Sequence, residues 1–169
     1  MRGWTVELRE ISRDDAALMR RWSGPEFTGE FNDLGPLDEA VAARLMVSRM
    51  MVMRCADGEP IGTMSWHLVS YGPNQESRAW NMGINLIPAA RGHGYGTEAQ
   101  RLLAEHLLAT TDVNRVEAAT DVANAIEQRS LEKAGLHREG VLRGAQFRAG
   151  DWHDLVVYSM IRADLARPT

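Results

Sequence analysis

Cysteine is nearly absent: Cys55 stands alone in 169 residues, so no internal disulfide can form. With no Cys/His ligand cluster around it, no metal site is expected either, and Cys55 is expected to act as a small buried hydrophobe. Lysine is as scarce. Lys133 faces eighteen arginines, a compositional skew that carries no mechanism. An excess of basic charge is lacking too, and the net charge of −4 with a pI near 5.7 argues against partnership with nucleic acid or an anionic membrane surface. No run approaches the ~18 apolar residues of a membrane span, and residues 1–7 lack the apolar stretch of a signal peptide. A cytoplasmic location is therefore expected. The chain also has no internal repeat, linker or low-complexity arm.

What is present is an ordinary globular balance, with 44% apolar and 25% charged residues. At this length one domain over residues 1–169 is expected, burying roughly 70% of its unfolded surface. Residues 4–9 read as a strand, and Ser12 opens a helix carrying Leu18, Met19 and Trp22, stopped by Gly24-Pro25. Residues 27–36 read as a loop, a candidate substrate wall, and 38–49 as a helix. Strands 50–55 and 61–69 form a hairpin about Asp57-Gly58. Residues 79–87 alternate, with Trp80, Met82, Ile84 and Leu86 on one side and Asn81, Gly83, Asn85 and Ile87 on the other. A glycine run then leads into a helix at 97–109 with Ala99, Leu102, Leu103 and Leu107 in a stripe. A strand (115–121), a helix (124–134) and two strands (about 137–147 and 153–162) complete an α/β (α+β) pattern with a mixed sheet.

The run Arg91-Gly92-His93-Gly94-Tyr95-Gly96-Thr97 is the most informative segment. Glycines at alternate positions let consecutive backbone N–H groups turn toward a pyrophosphate at the positive end of the following helix, and Arg91 can add a charged contact. The run lacks the Gly-Lys-Ser/Thr ending of a P-loop. Its mid-chain position and its third glycine two residues after the second also fit a dinucleotide fingerprint poorly.

Arg91-Gly92-His93-Gly94-Tyr95-Gly96 resembles the Arg/Gln-x-x-Gly-x-Gly/Ala signature of the GNAT superfamily of N-acetyltransferases. Asn124, Leu131-Glu132-Lys133-Ala134-Gly135-Leu136, Glu139-Gly140 and Asp151-Trp152-His153-Asp154 are similar to the branch of ribosomal-protein N-terminal acetyltransferases. The resemblance implies a GNAT fold, a mixed sheet of about six to seven strands with helices on both faces. It implies acetyl-CoA as acyl donor and a primary amine as acceptor, with no metal, in a monomer or homodimer. For donor binding it implies the strand at Asn85, Leu86 and Ile87, the loop of Arg91, Gly92, His93, Gly94, Tyr95, Gly96 and Thr97, and Asn124 on the pantetheine arm, and Ser130 on the same helix is expected to approach the sulfur with its hydroxyl. Asn124 also suits a helix N-cap, and both roles can hold.

Two positions depart from that branch: Glu127 stands where a serine is common, and Gln146 where some members carry a glutamate. Glutamine accepts no proton from an ammonium group, which leaves Glu127, Ser130 and Tyr158 as candidates for proton transfer. Trp22, Phe27, Phe31, Trp66 and Trp80 read as core, although Phe27 and Phe31 fall in the candidate substrate wall. Three functions stay open: acetylation of a protein N-terminus or small amine, detoxification of an amine antibiotic or toxin, and silent CoA sensing or scaffolding.

Overall fold

The structure, a computed structural model, describes residues 1–22, 27 and 48–166. Seven strands form one mixed sheet in the order β1-β2-β3-β4-β5-β7-β6. They are β1 (Val6–Glu10), β2 (Ser48–Arg54), β3 (Pro60–Ser70), β4 (Arg78–Leu86), β5 (Arg115–Asp121), β6 (His137–Arg148) and β7 (Asp151–Ile161). Among the described strands only the β4–β5 pair is parallel. Three described helices accompany the sheet: α1 (Ala16–Arg21), α2 (Tyr95–Thr110) and α3 (Ala125–Lys133). The expected loop over 27–36 and helix over 38–49 lie outside the described residues, except for Phe27, Ser48 and Arg49. Ser48 and Arg49 open β2 instead of ending a helix, because strand pairing to Trp66 and Ser65 engages both.

The pleat gives the sheet two unlike faces. Met64, Met82, Val116, Ala118, Val156 and Tyr158 belong to the core, where Ala99, Leu103, Leu107 and Leu108 of α2 and Leu131 of α3 cover them. The expected stripe of the long helix is thus its buried face, with Leu102 only partly buried. The opposite face is polar near the β4–β5 pair: register puts Arg49, Ser65 and Gly83 in one row, Thr63 and Asn85 beside buried Met51 in the next, and Asn81 beside Glu117. Cys55 is half-buried just past β2, not enclosed in the core as its residue type suggested.

Both ends of α3 explain motifs seen in the sequence. Asn124 caps the helix by accepting from the Glu127 amide at 3.2 Å. At the other end Gly135 takes φ 92°, its amide bonds to the Glu132 carbonyl, and that of Leu136 to Leu131, both at 3.0 Å. This is a Schellman stop, closed by the apolar pair Leu131 and Leu136 in the core.

β4 and β5 share only two register pairs, Trp80↔Val116 and Asn81↔Glu117, and then part. The closed end of this V is pinned by buried Glu117, which accepts from Tyr71 Oη, Asn81 Nδ2 and Arg115 Nε. Arg115 also forks onto Glu139 and holds its carboxyl below the usual range. Past the open end, buried Arg148 and Asp121 pair at 2.6 Å and tie β6 to β5.

Candidate active site

A cavity of about 500 Å³ lies at the β4–β5 opening. Its walls come from Met82–Asn85 of β4, Ala118–Thr120 of β5, Gln100 of α2, and Asn124, Glu127 and Leu131 at α3. Met19 and Trp22 from α1, with Arg49, Thr63 and Ser65 from the polar sheet face, complete it. It therefore opens on the helix side and on the polar side of the sheet alike.

The backbone of β4 lines the opening by alternation. The Ile87 amide bonds to the Ile61 carbonyl at 3.0 Å, and Asn85, two residues back and opposite Thr63, turns its peptide groups the same way. Ile84 and Leu86 consequently direct theirs toward the gap that β5 has left. Of the three strand residues singled out in the sequence, Leu86 offers backbone to the opening, Asn85 offers its side chain, and Ile87 is committed to β3. Ile84 was missed, since alternation is legible in the sequence but the departure of a neighbouring strand is not.

The glycine run forms a turn at the α2 N-terminus. Gly92 and Gly94 take φ of 80° and 83°, and a Cβ on either would meet nothing within 4 Å. Their conformation, not crowding, calls for glycine. Gly94 caps α2 and its carbonyl first accepts from Glu98, so the amides of Tyr95, Gly96 and Thr97 have no acceptor within the helix. Free amides at the positive end of a sixteen-residue helix make an anion cradle. Arg91 does not extend into open space: its Nε donates to the Leu86 carbonyl at 3.0 Å and an Nη to that of Phe27. The exposed His93 ring lies 5.7 Å from that of Tyr95.

Behind the turn, a polar chain joins α2 to α3. Thr97 Oγ1 and Ser130 Oγ lie 2.9 Å apart, Ser130 donates to Gln100 Oε1 at 3.2 Å, and Gln100 Nε2 donates to Glu127. Gln100 is 2% exposed. Its one signal in the sequence is a polar residue next to the apolar stripe. Glu127 is half-buried, and burial, only partly offset by the Gln100 bond, raises its carboxyl to about 7. Asn124 lines the cavity and donates from Nδ2 to Thr120 Oγ1 at 3.1 Å.

The remaining candidates are placed differently. Ser130 is outside the lining, its hydroxyl shared between Thr97 and Gln100. Tyr158 does not reach the cavity: it lies on the core face, fully buried, and its hydroxyl donates to Glu132 at 3.1 Å. Burial and that carboxylate push its pKa upward, away from proton exchange near neutrality. Gln146 accepts from Arg148 Nη1 at 2.8 Å, opposite His153 in the β6–β7 register. Among the described residues no group of three or more His, Cys, Asp or Glu could hold a metal ion, and no helix is long and apolar enough to cross a membrane.

Residues 5–137 match the family model of the acetyltransferase (GNAT) domain. The uncharacterized N-acetyltransferase p20 of Bacillus licheniformis is 24% identical over 95% of each chain. The putative ribosomal N-acetyltransferase YdaF of Bacillus subtilis is 29% identical over 64% of this chain and 57% of its own. The structure of spermidine N-acetyltransferase from Vibrio cholerae, in complex with CoA and spermine, shares the fold at a TM-score of 0.77 and 15% identity, covering 96% of this chain and 99% of that one. With the strand opening, the glycine turn and a family model spanning most of its length in agreement, the chain belongs to the GNAT family of acetyltransferases.

Proposed function

We propose that the protein transfers the acetyl group of acetyl-CoA to a primary amine bound in the cavity at the β4–β5 opening. The opening itself carries this reading: its cavity joins walls from α2 and α3 to a polar floor on the other side of the sheet, and the glycine turn lies against the same stretch of β4, where a Cβ on Gly96 would meet Leu86 and Ile84. The amides of 92–97 suit the pyrophosphate, and Asn124, between α3 and β5, suits the pantetheine arm. The gap-facing amides of Ile84 and Leu86 suit the thioester oxygen, and their bonds strengthen as charge builds on it.

The neutral amine attacks the carbonyl carbon, forming the C–N bond while the carbonyl electron pair moves to oxygen. Collapse breaks the C–S bond and nitrogen loses its extra proton to water. Glu127 then protonates the departing sulfur. It stands on the helix-side wall, and with a pKa of about 7 its acid form is abundant at neutral pH and transfers downhill to a thiolate whose conjugate acid has pKa ~8.5. Thiol release in a mixed amine panel tests the proposal. A folded protein that binds CoA and releases no thiol whichever amine is offered would instead be a sensor.

A further inference from the structure

The polar floor of the cavity carries charge that acetyl transfer itself does not use. Arg49, Ser65 and Gly83 are register neighbours across β2, β3 and β4, and Thr63 and Asn85 form the next row. All five line the cavity. Among the described residues no hydrogen bond or ion pair engages the side chains of Arg49, Thr63, Ser65 or Asn85. The carboxylates nearest this floor are already engaged, Glu117 by Arg115 at 2.9 Å, which it shares with Glu139, and Asp121 by Arg148 at 2.6 Å. Glu127, the other ionisable group in the described lining, stands on the helix side and is half-protonated near neutrality.

Among the described residues the floor thus offers donors and one positive charge without a partner, Arg49. Gly83 keeps it flat beside the opening, where a Cβ would come within 3.3 Å of Ser65 Oγ. A polycationic acceptor would meet a like charge here, whereas a carboxylate would meet a guanidinium fork with hydroxyls beside it. Arg49 starts two strands, roughly 10 Å, from β4, and lines one cavity with Gly83 and Asn85 of that strand. The anion and the reacting amine are then only a few bonds apart. Resting on the acetyl-transfer reading, we propose that the acceptor is a small primary amine that carries a carboxylate, held on the β2–β3 floor by Arg49 with Ser65 and Thr63.

Three four-carbon amines test this with acetyl-CoA: 4-aminobutanoate, 4-aminobutanamide and 1,4-diaminobutane. In the wild type kcat/KM should be at least about tenfold higher for the carboxylate than for the amide, and lowest for the diamine, since one charge-assisted contact is worth at least that factor. Arg49→Gln should remove the preference through KM with kcat largely kept, and Arg49→Glu should invert the order. Arg49 is exposed, so both variants should fold, which circular dichroism checks. A wild-type preference for the diamine, or an order unchanged in Arg49→Glu, overturns the proposal. If CoA binds but no amine is acetylated, the acetyl-transfer reading fails by itself. Calorimetric titration of 4-aminobutanoate into the CoA-loaded protein then decides the anion site: binding lost in Arg49→Glu supports it, and no binding in the wild type overturns it.

Discussion

Replacing Glu127 by glutamine keeps the shape of the side chain and removes its charge, so one variant reads both the cost of burying that charge and its use. A carboxyl raised to about 7 in the folded protein binds its proton more tightly there than in the unfolded chain. Below the ordinary glutamate pKa both states are protonated and nothing is lost. As pH rises from there to about 7 the folded state is penalised, and above 7 the penalty is complete. Each pKa unit is worth 1.36 kcal/mol, so the penalty is up to about 3 kcal/mol. Glu127→Gln should therefore melt with the wild type at pH 4.5 and up to about 10 °C above it at pH 8. In turnover the same variant should lose at least about tenfold in kcat/KM, the low side of acid–base effects, with CoA affinity intact. The pH profile gives the sign: loss of the acid form above about 7 offsets acceptor deprotonation, so the wild type should level off there while the variant keeps rising toward the amine pKa. A melting difference that does not vary with pH would refute the burial argument. Wild-type kinetics from pH 6 to 9 would remove Glu127 from the proton path.

Gly94→Glu should abolish CoA binding by calorimetry, because it sets a β-carbon at φ 83° and a negative charge in the anion cradle; unchanged affinity in a folded variant would dismantle the donor site. Turnover should survive chelators and need neither ATP nor NAD, and loss restored by a divalent ion would reveal a missed metal. Arg148→Met should cost about 3–5 kcal/mol in denaturant unfolding by leaving the buried Asp121 carboxylate only the Ala123 amide and His153 as partners; a loss under 1 kcal/mol would show that those partners suffice for it.

The parts of the fold legible in the sequence are those where one local period decides the structure. The alternation of 79–87 and the apolar stripe of α2 each separate two faces without help from elsewhere. β2 was legible only from Met50, because Ser48 and Arg49 have little strand preference of their own and are held by partners on β3. Helix α2 begins at Tyr95, two residues before expectation. Tyr-Gly is a poor helix former, yet a first turn needs no amide acceptors and tolerates it.

Site residues divide along the same line. The glycine run was legible because its geometry is local, and Asn124 because an N-cap is fixed by its own helix. Ile84 and Gln100 were not, since each takes its meaning from a distant segment: the departure of β5, and a carboxyl on another helix. Tyr158 failed for the converse reason, since an aromatic residue in a final strand looks the same whether it faces core or cavity. Glu127 joins both classes. Its departure from the serine that the resemblance leads one to expect is visible at once, but what it can do depends on Gln100, which occupies one of its oxygens, and on its burial, with no cation among the described residues paired to it. A carboxyl so placed is costly when ionised and comfortable when protonated. That asymmetry, set by packing alone, leaves a proton available at the cavity wall, which is what the proposed protonation of the leaving sulfur requires.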